Sequence, residues 1–385
     1  MSQSITHNMD TQKISFEDFK QDVLNDYYIA LLSREASLLG RKEVLTGKAK
    51  FGIFGDGKEL AQIAMAKVFN PGDFRSGYYR DQTFMFATGM SNVKSFFAQL
   101  YADPDVQREP SSAGRQMNGH YGSRLLDEHG NWKDQTAMLN SSSDISPTAG
   151  QMVRGLGLAF ASKLYRAHDA IKDSTMFSKN GNEVCFTTIG DASTSEGPFW
   201  ETVNAAGVMQ VPLAIFVWDD GYGISVPRKY QTSKNSISDV LDGFRYDPNV
   251  GGLDIYTVKG WDYAALCETF KNGIQRIRET HIPAIFHVQE ITQPQGHSTS
   301  GSHERYKSKE RLEWEKEMDC IKKMRSFILE NALGNEDELV VIEEKAKKDV
   351  LDQKKDAWDS FLDPIKQQVQ HAIKLCNDLM FAGHP

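Results

Sequence analysis

The amino-acid sequence predicts an α/β fold, a doubly wound parallel sheet with helical extensions at both ends. Two observations carry this. From residue 183 to residue 292, short apolar runs rich in β-branched and aromatic residues alternate with longer stretches of three- and four-residue apolar spacing, the pattern of parallel strands joined by helical crossovers. Outside that region, both ends of the chain keep the helical spacing alone. At 385 residues the chain accommodates one large α/β domain with additions. The spacing divides it into a helical extension at 1–50, an α/β domain at 51–305 and a charged helical tail at 306–385.

Each element follows in order. Residues 15–45 repeat apolar positions as amphipathic helices do. A Gly-rich turn (FGIFGDGKEL), a helical stretch (AQIAMAKVF), a turn at NPGDF and the segment GYYRDQTFMFATGM fill 51–101. Residues 102–147 are polar and loop-like, and a connection of that length is usually functional or disordered. GQMVRGLGLAFASKLYRAH reads as a helix of small residues, which also removes GLGLAF as a dinucleotide fingerprint, because that motif needs a preceding strand. Then come strand EVCFTTIG, helix PFWETVNAAGVMQ, strand PLAIFVW, strand DIYTVKG, helix DYAALCETFKNGIQRIRET and strand AIFHVQEIT. A Ser/Gly loop follows, and charged helices run from Lys309 to about Leu379, either solvated or docked.

Composition excludes several classes. A net charge of −8 lacks the cationic surface of a general nucleic-acid binder. Cys185, Cys267, Cys320 and Cys376 are scattered, form no CxxC pair and read as buried free thiols of a reducing compartment. The start has no basic region followed by an apolar stretch, and no run reaches the roughly 18 apolar residues of a membrane span. The expectation is a cytoplasmic protein without membrane partners.

The chemistry gathers in GDASTSEGPFWETVNAAGVMQVPLAIFVWDDGYGIS, residues 190–225, where two neighbouring strands end in Asp191 and in Asp219-Asp220. Ligands of open parallel sheets bind at such carboxyl ends. Ser193, Thr194 and Ser195 are candidate caps for a helix entered through Pro198, and a helix start attracts phosphate. Carboxylates beside a phosphate need a hard cation between them, and Mg²⁺ combines few carboxylates with phosphate oxygens. The competing reading makes Asp191 a cap and Asp219-Asp220-Gly221 a turn.

Gly-Asp, a gap of just under thirty residues and an acidic pair before Gly-Tyr-x-Ile-Ser resembles the metal and diphosphate motif of thiamine diphosphate enzymes. With YYRDQ (78–82), GRQMNGHYG (114–122), SPTAGQMVRGLG (146–157) and GHSTS (296–300) in family order, the chain resembles the α subunits of the decarboxylating component of 2-oxoacid dehydrogenase complexes, the branched-chain type above all. The resemblance implies a thiamine diphosphate-binding α/β fold. It also implies that Asp191, Asp220 and the Tyr222 carbonyl hold Mg²⁺, and that Tyr79, Arg80, Gly190, the Ala192 and Ser193 amides and His297 hold the diphosphate. Ser146 and Thr148 would lie beside the aminopyrimidine. Arg80 suits its role through its planar fork, its other reading being an ion pair with Asp81. His120 and His297, in Gly-flanked polar loops, would face the reacting centre, where an imidazole exchanges a proton near neutral pH.

The chain departs from the family pattern at three places: Ala192 for a glycine, Asp219-Asp220 for Asn-Asn, and Gly301-Ser302 for an acidic pair. The implied function is oxidative decarboxylation of a 2-oxoacid with acyl transfer to a lipoyl group on an acyltransferase core. The chain would be half a catalyst, completed by a β subunit or by the β half of a fused chain. Pyruvate- or acetoin-type α subunits, or a non-catalytic assembly subunit with a degenerate cofactor motif, are the alternatives.

Overall fold

The computed structural model describes residues 15–383; the start of the chain, His7 and His384 lie outside the described residues. Helices are α1 (Phe16–Leu45), α2 (Glu59–Ala66), α3 (Gln82–Ala87), α4 (Val93–Leu100), α5 (Gly150–Ala167), α6 (Gly197–Met209), α7 (Ile237–Val240), α8 (Tyr263–Thr280), α9 (Lys309–Glu317), α10 (Cys320–Glu330) and α11 (Glu336–Ala382). Strands are β1 (Phe74–Ser76), β2 (Asn140–Ser141), β3 (Cys185–Gly190), β4 (Leu213–Trp218), β5 (Tyr222–Gly223), β6 (Val226–Pro227), β7 (Asp254–Lys259) and β8 (Ala284–Gln289).

Six strands form one sheet in the order β2-β1-β3-β4-β8-β7, every pairing parallel, while β5 and β6 make a separate hairpin. Because alternate side chains leave opposite faces, β3, β4 and β8 feed two cores. Phe186, Phe216, Trp218 and Phe286 join α1, α2, α8 and α10, whereas Cys185, Ile189, Ile215, Val217 and Ile285 join α5, α6 and α7. Burial on both faces explains the unbroken apolar runs. Across the first face the aromatics stack from strand to strand, Phe186 to Phe216 at 5.8 Å, Phe216 to Phe286 at 4.8 Å and Tyr256 to Phe286 at 5.1 Å between centroids.

The expected strands and crossover helices are present, and the NPGDF region adds a strand that the turn reading missed. β1 is only three residues long, yet it lies between β2 and β3 and carries Arg75, which is fully buried. Nε of Arg75 donates to Asp81 Oδ2 at 2.8 Å, and its two terminal nitrogens reach the Asp144 carboxylate at 3.1 and 3.0 Å. The same guanidinium donates to Ser141 Oγ at 2.9 Å and to the Tyr78 carbonyl at 3.1 Å. Asp144 also takes the Tyr121 amide at 3.0 Å. One buried charge group thus ties the turn after β1 to the segments 114–122 and 140–148.

The charged tail docks through much of its length. Leu339, Ala346, Val350 and Ala357 of α11 are buried, and Tyr27 and Tyr28 of α1 donate to Glu343 at 2.8 Å and Asp349 at 2.6 Å. After Pro364, which has no N–H for the helical ladder, Ile365, Val369, Ile373 and Leu379 stand exposed. All four cysteines are free thiols; Cys185 and Cys320 are buried as expected, whereas Cys376 is exposed on this last part of the helix. No helix among the described residues is long and apolar enough to cross a membrane.

Arg75→Met leaves Asp81 and Asp144 buried without their cation, a loss of roughly 3–5 kcal/mol. Urea unfolding of the full chain should show that drop; a drop below about 1 kcal/mol would show that the two carboxylates do not depend on Arg75.

Candidate functional site

The sheet order changes direction between β1 and β3, since the chain runs from β1 outward to β2 and then returns to β1's other side. A crevice opens at the carboxyl ends of strands flanking such a switch. The register places Gly190, Trp218 and Val288 in one row. The Asp191 and Asp219 amides extend the ladders to the Trp218 and Val288 carbonyls at 3.1 and 2.9 Å. Backbone pairing therefore delivers the acidic residues to the same edge.

A cavity of about 270 Å³ lies there, lined by Tyr79, Arg80, Thr148, Gly190, Asp191, Ala192, Ser193, Asp220, Tyr222 and His297. Ten of the twelve residues singled out in the sequence converge on it. The other two, Ser146 and His120, are not among its lining residues; they meet each other, Oγ to Nε2 at 3.2 Å, while His120 Nδ1 stands 2.9 Å from the Met117 carbonyl. The His120 ring centroid is 6.4 Å from that of Tyr79. His120 thus lies behind a lining residue. Lys58, Tyr78, Trp218, Gly223 and Ile224 also line the cavity and were not anticipated.

Cations and carboxylates face one another across this space. Arg80 is 5% exposed and donates to the Phe54 carbonyl at 2.7 Å and the His297 carbonyl at 2.8 Å. Its expected alternative, an ion pair with Asp81, is not formed, because Asp81 is held by Arg75. Two main-chain acceptors aim the guanidinium without neutralising it. Asp191 Oδ2 is buried with no hydrogen-bond partner. Burial first, and Asp220 and Asp219 next, push the Asp191 carboxyl far above its ordinary range. Such a carboxylate lacks a cation.

Among the described residues no group of three or more His, Cys, Asp or Glu side chains is arranged to hold a metal. Two carboxylates, Asp191 and Asp220, on a wall that Tyr222 also lines fit an ion that takes its remaining ligands from water and phosphate, as Mg²⁺ does. For an anion, Arg80 supplies a guanidinium with no carboxylate partner, and Ser193 lies in the first turn of a 3₁₀ helix (Ala192–Ser195) that begins at the cavity.

Several local readings are corrected. Ser193, Thr194 and Ser195 do not cap α6; Glu196 occupies the cap position without a side-chain bond, and Thr194 Oγ1 turns back to the Asp191 carbonyl at 2.6 Å. Ala192 is not among the residues at positive φ, so alanine costs little there. Gly223 permits the hairpin to approach, because a Cβ on it would stand 2.8 Å from the Ala192 Cβ. The two aspartates of the pair divide. Asp219 is bound by Arg228 and stands 2.8 Å from His287 Nε2, whose Nδ1 is 3.0 Å from Ser238 Oγ. Burial raises the Asp219 carboxyl, but His287 and Arg228 outweigh burial and hold it below its ordinary value. His297 does not titrate near neutrality: burial, then the Arg80 guanidinium, push its imidazole down to about 4.

A family model described as Dehydrogenase E1 component matches residues 29–365. The chain belongs to the dehydrogenase E1 component family. This E1 chain is 26% identical over 319 residues to the 2-oxoisovalerate dehydrogenase subunit alpha of Bacillus subtilis, a match covering 81% of this chain and 83% of the relative. It is 25% identical over 344 residues to the pyruvate dehydrogenase E1 component subunit alpha of Rickettsia prowazekii, covering 88% and 92%. A mitochondrial 2-oxoisovalerate dehydrogenase subunit alpha of Caenorhabditis elegans matches at 25% over 307 residues, covering 79% of this chain and 62% of the relative. The E1 family depends on thiamine diphosphate.

In the ligand-free E1 chain, Asp191→Asn removes a buried carboxylate that has one oxygen without a partner and should raise stability by about 1 kcal/mol, while Asp219→Asn loses charge-assisted bonds to Arg228 and His287 and should lower it by about 2–3 kcal/mol. Urea midpoints without metal check both signs; destabilisation by Asp191→Asn would show that the bond from the Ala192 amide outweighs the unpartnered oxygen.

Proposed function

We propose that this chain is the α subunit of a thiamine diphosphate-dependent 2-oxoacid dehydrogenase, acting on branched-chain 2-oxoacids with a β partner. The observation that carries the reading is the convergence of four of the five quoted segments on one cavity, at the switch point of the sheet, where a guanidinium without a carboxylate partner and a carboxylate with one unpartnered oxygen share the wall. The fold is then the doubly wound thiamine diphosphate type. The Bacillus subtilis relative and the quoted segments support branched-chain substrates. The Rickettsia relative supports the second reading, pyruvate.

Asp191, Asp220 and the Tyr222 carbonyl would hold Mg²⁺, and Arg80, Tyr79, Gly190, Ala192, Ser193 and His297 would hold the diphosphate. Thr148, on the cavity wall, and Ser146, in contact with His120, would flank the aminopyrimidine. Thiamine diphosphate supplies the nucleophilic carbon and the electron sink for loss of carbon dioxide, while the protein supplies binding, orientation and electrostatics. His297 enters as a neutral imidazole, able to accept a proton or donate one hydrogen bond beside the substrate carboxylate. His120, turned towards Ser146 and Met117, acts by positioning the Tyr79 and Ser146 segments. The acyl group passes to a lipoyl arm of an acyltransferase core. The exposed apolar side chains of α11 beyond Pro364 give a partner an area to cover, and free thiols suit the cytoplasm.

Calorimetric titration of the chain with its β partner should show Mg²⁺-dependent thiamine diphosphate binding, weakened about 10- to 100-fold in Arg80→Ala through loss of a charge-assisted contact. With a lipoyl acceptor, branched 2-oxoacids should be turned over in preference to pyruvate and acetoin. Turnover of pyruvate or acetoin alone would replace the substrate assignment, and no binding at millimolar cofactor would leave an assembly role in its place.

A further inference from the structure

Lys58 has no part in the motifs above, yet it is 1% exposed and lines the same cavity as Arg80, Asp191 and Asp220. Its Nζ donates to Gln293 Oε1 at 2.6 Å and stands 3.5 Å from Asp220 Oδ2. Neighbouring carboxylates are otherwise engaged: Glu59 takes the Arg34 fork at 2.7 and 3.1 Å, and Asp56 takes the Gln295 amide at 2.8 Å. The position of the ammonium is fixed by close backbone packing. Gly57, at φ +88°, abuts segment 292–294 so tightly that a Cβ on it would stand 2.0 Å from the Thr292 carbonyl oxygen. Lys58 is therefore delivered to the cavity by a turn that admits little movement.

The resembled family carries a neutral amide where this chain has Asp220. A carboxylate there adds one negative charge at a site that must also accept a diphosphate. We propose that Lys58 is a cofactor-site residue of this chain, pairing with Asp220 so that the lysine and the aspartate together replace a neutral amide. The proposal rests on the thiamine diphosphate reading of the cavity. With Lys58 beside Oδ2 and the Tyr222 amide donating to Oδ1 at 3.1 Å, the added charge of Asp220 is offset within the wall, and Arg80 keeps no carboxylate partner that would compete with the diphosphate. Asp219 does not line the cavity, and its own charge is met by His287 and Arg228.

A double-mutant cycle on thiamine diphosphate affinity, measured calorimetrically at saturating Mg²⁺ with the β partner present, tests the pairing. Lys58→Met should weaken binding at least tenfold in the wild-type background and less than threefold when combined with Asp220→Asn, so that the double variant binds more tightly than Lys58→Met alone. Far-UV circular dichroism and urea midpoints establish that the variants fold, and Lys58→Gln, which keeps a hydrogen bond for Gln293, serves if Lys58→Met does not. Wild-type affinity in Lys58→Met or Lys58→Gln overturns the assignment of Lys58 alone. An equal loss in both backgrounds overturns the pairing with Asp220. Failure of the wild-type complex to bind overturns the cofactor reading, and this inference with it.

Discussion

The arrangement of the carboxyl edge depends on the buried ion group of Arg75 with Asp81 and Asp144. A guanidinium taken fully out of water is costly unless its donors are all used, and Arg75 has two carboxylates, a hydroxyl and a main-chain carbonyl around it. Asp81 in turn receives Thr188 Oγ1 of β3 at 2.5 Å and lies 3.4 Å from Trp218 Nε1 of β4. Burial raises the Asp81 carboxyl, and Arg75 opposes burial. The group ties strands β1 to β4 of the sheet to the irregular segments that hold Tyr78, Asp81, Tyr121 and Asp144, so the loops of the cavity wall are located by charge as much as by the sheet. It also removes Asp81 from Arg80, and that removal leaves the Arg80 fork free to face the cavity.

Electrostatics in the cavity follow from this division of labour. Carboxylates at 191 and 220, and cations at 58 and 80, are set in a wall where little water screens them. Stability is given up locally, since Asp191 has a buried oxygen without a partner, as is common where a site is built for a ligand. In the proposed reading, a divalent ion held by Asp191 and Asp220 and an anion held by Arg80 would restore the balance. The neighbouring carboxylate of Asp219 is kept out of that balance by a separate row through His287 to Ser238.

Much of this was legible in the sequence, for reasons that differ by element. The long crossover helices α5, α6 and α8 and the strands β3, β4, β7 and β8 announce themselves through apolar period and length. β1 and β2 do not, because strands of three and two residues carry no period; they exist because Arg75 and Asn140 bond across them. The motif residues were found because they cluster in short segments with unusual spacing. Lys58 and His287 were missed because each sits singly in an ordinary apolar context, Lys58 at the head of a buried helix and His287 inside a strand. The alternation in AIFHVQEIT, which puts His287 on the same face as Ile285, was the available signal for a buried imidazole in need of a partner. The Ser193–Ser195 caps failed because a 3₁₀ turn intervenes before α6, and sequence pattern alone does not separate a tight turn from a cap.

The central claim is that Asp191 and Asp220 grip a divalent ion bridging to a diphosphate. Anomalous diffraction from crystals of the complex grown with Mn²⁺ and thiamine diphosphate tests it directly. The account predicts one strong manganese peak within about 2.5 Å of oxygens from Asp191, Asp220 and the Tyr222 main chain, a span typical of oxygen-ligated divalent ions. Manganese bound elsewhere, or thiamine diphosphate bound with neither carboxylate on the metal, would contradict it.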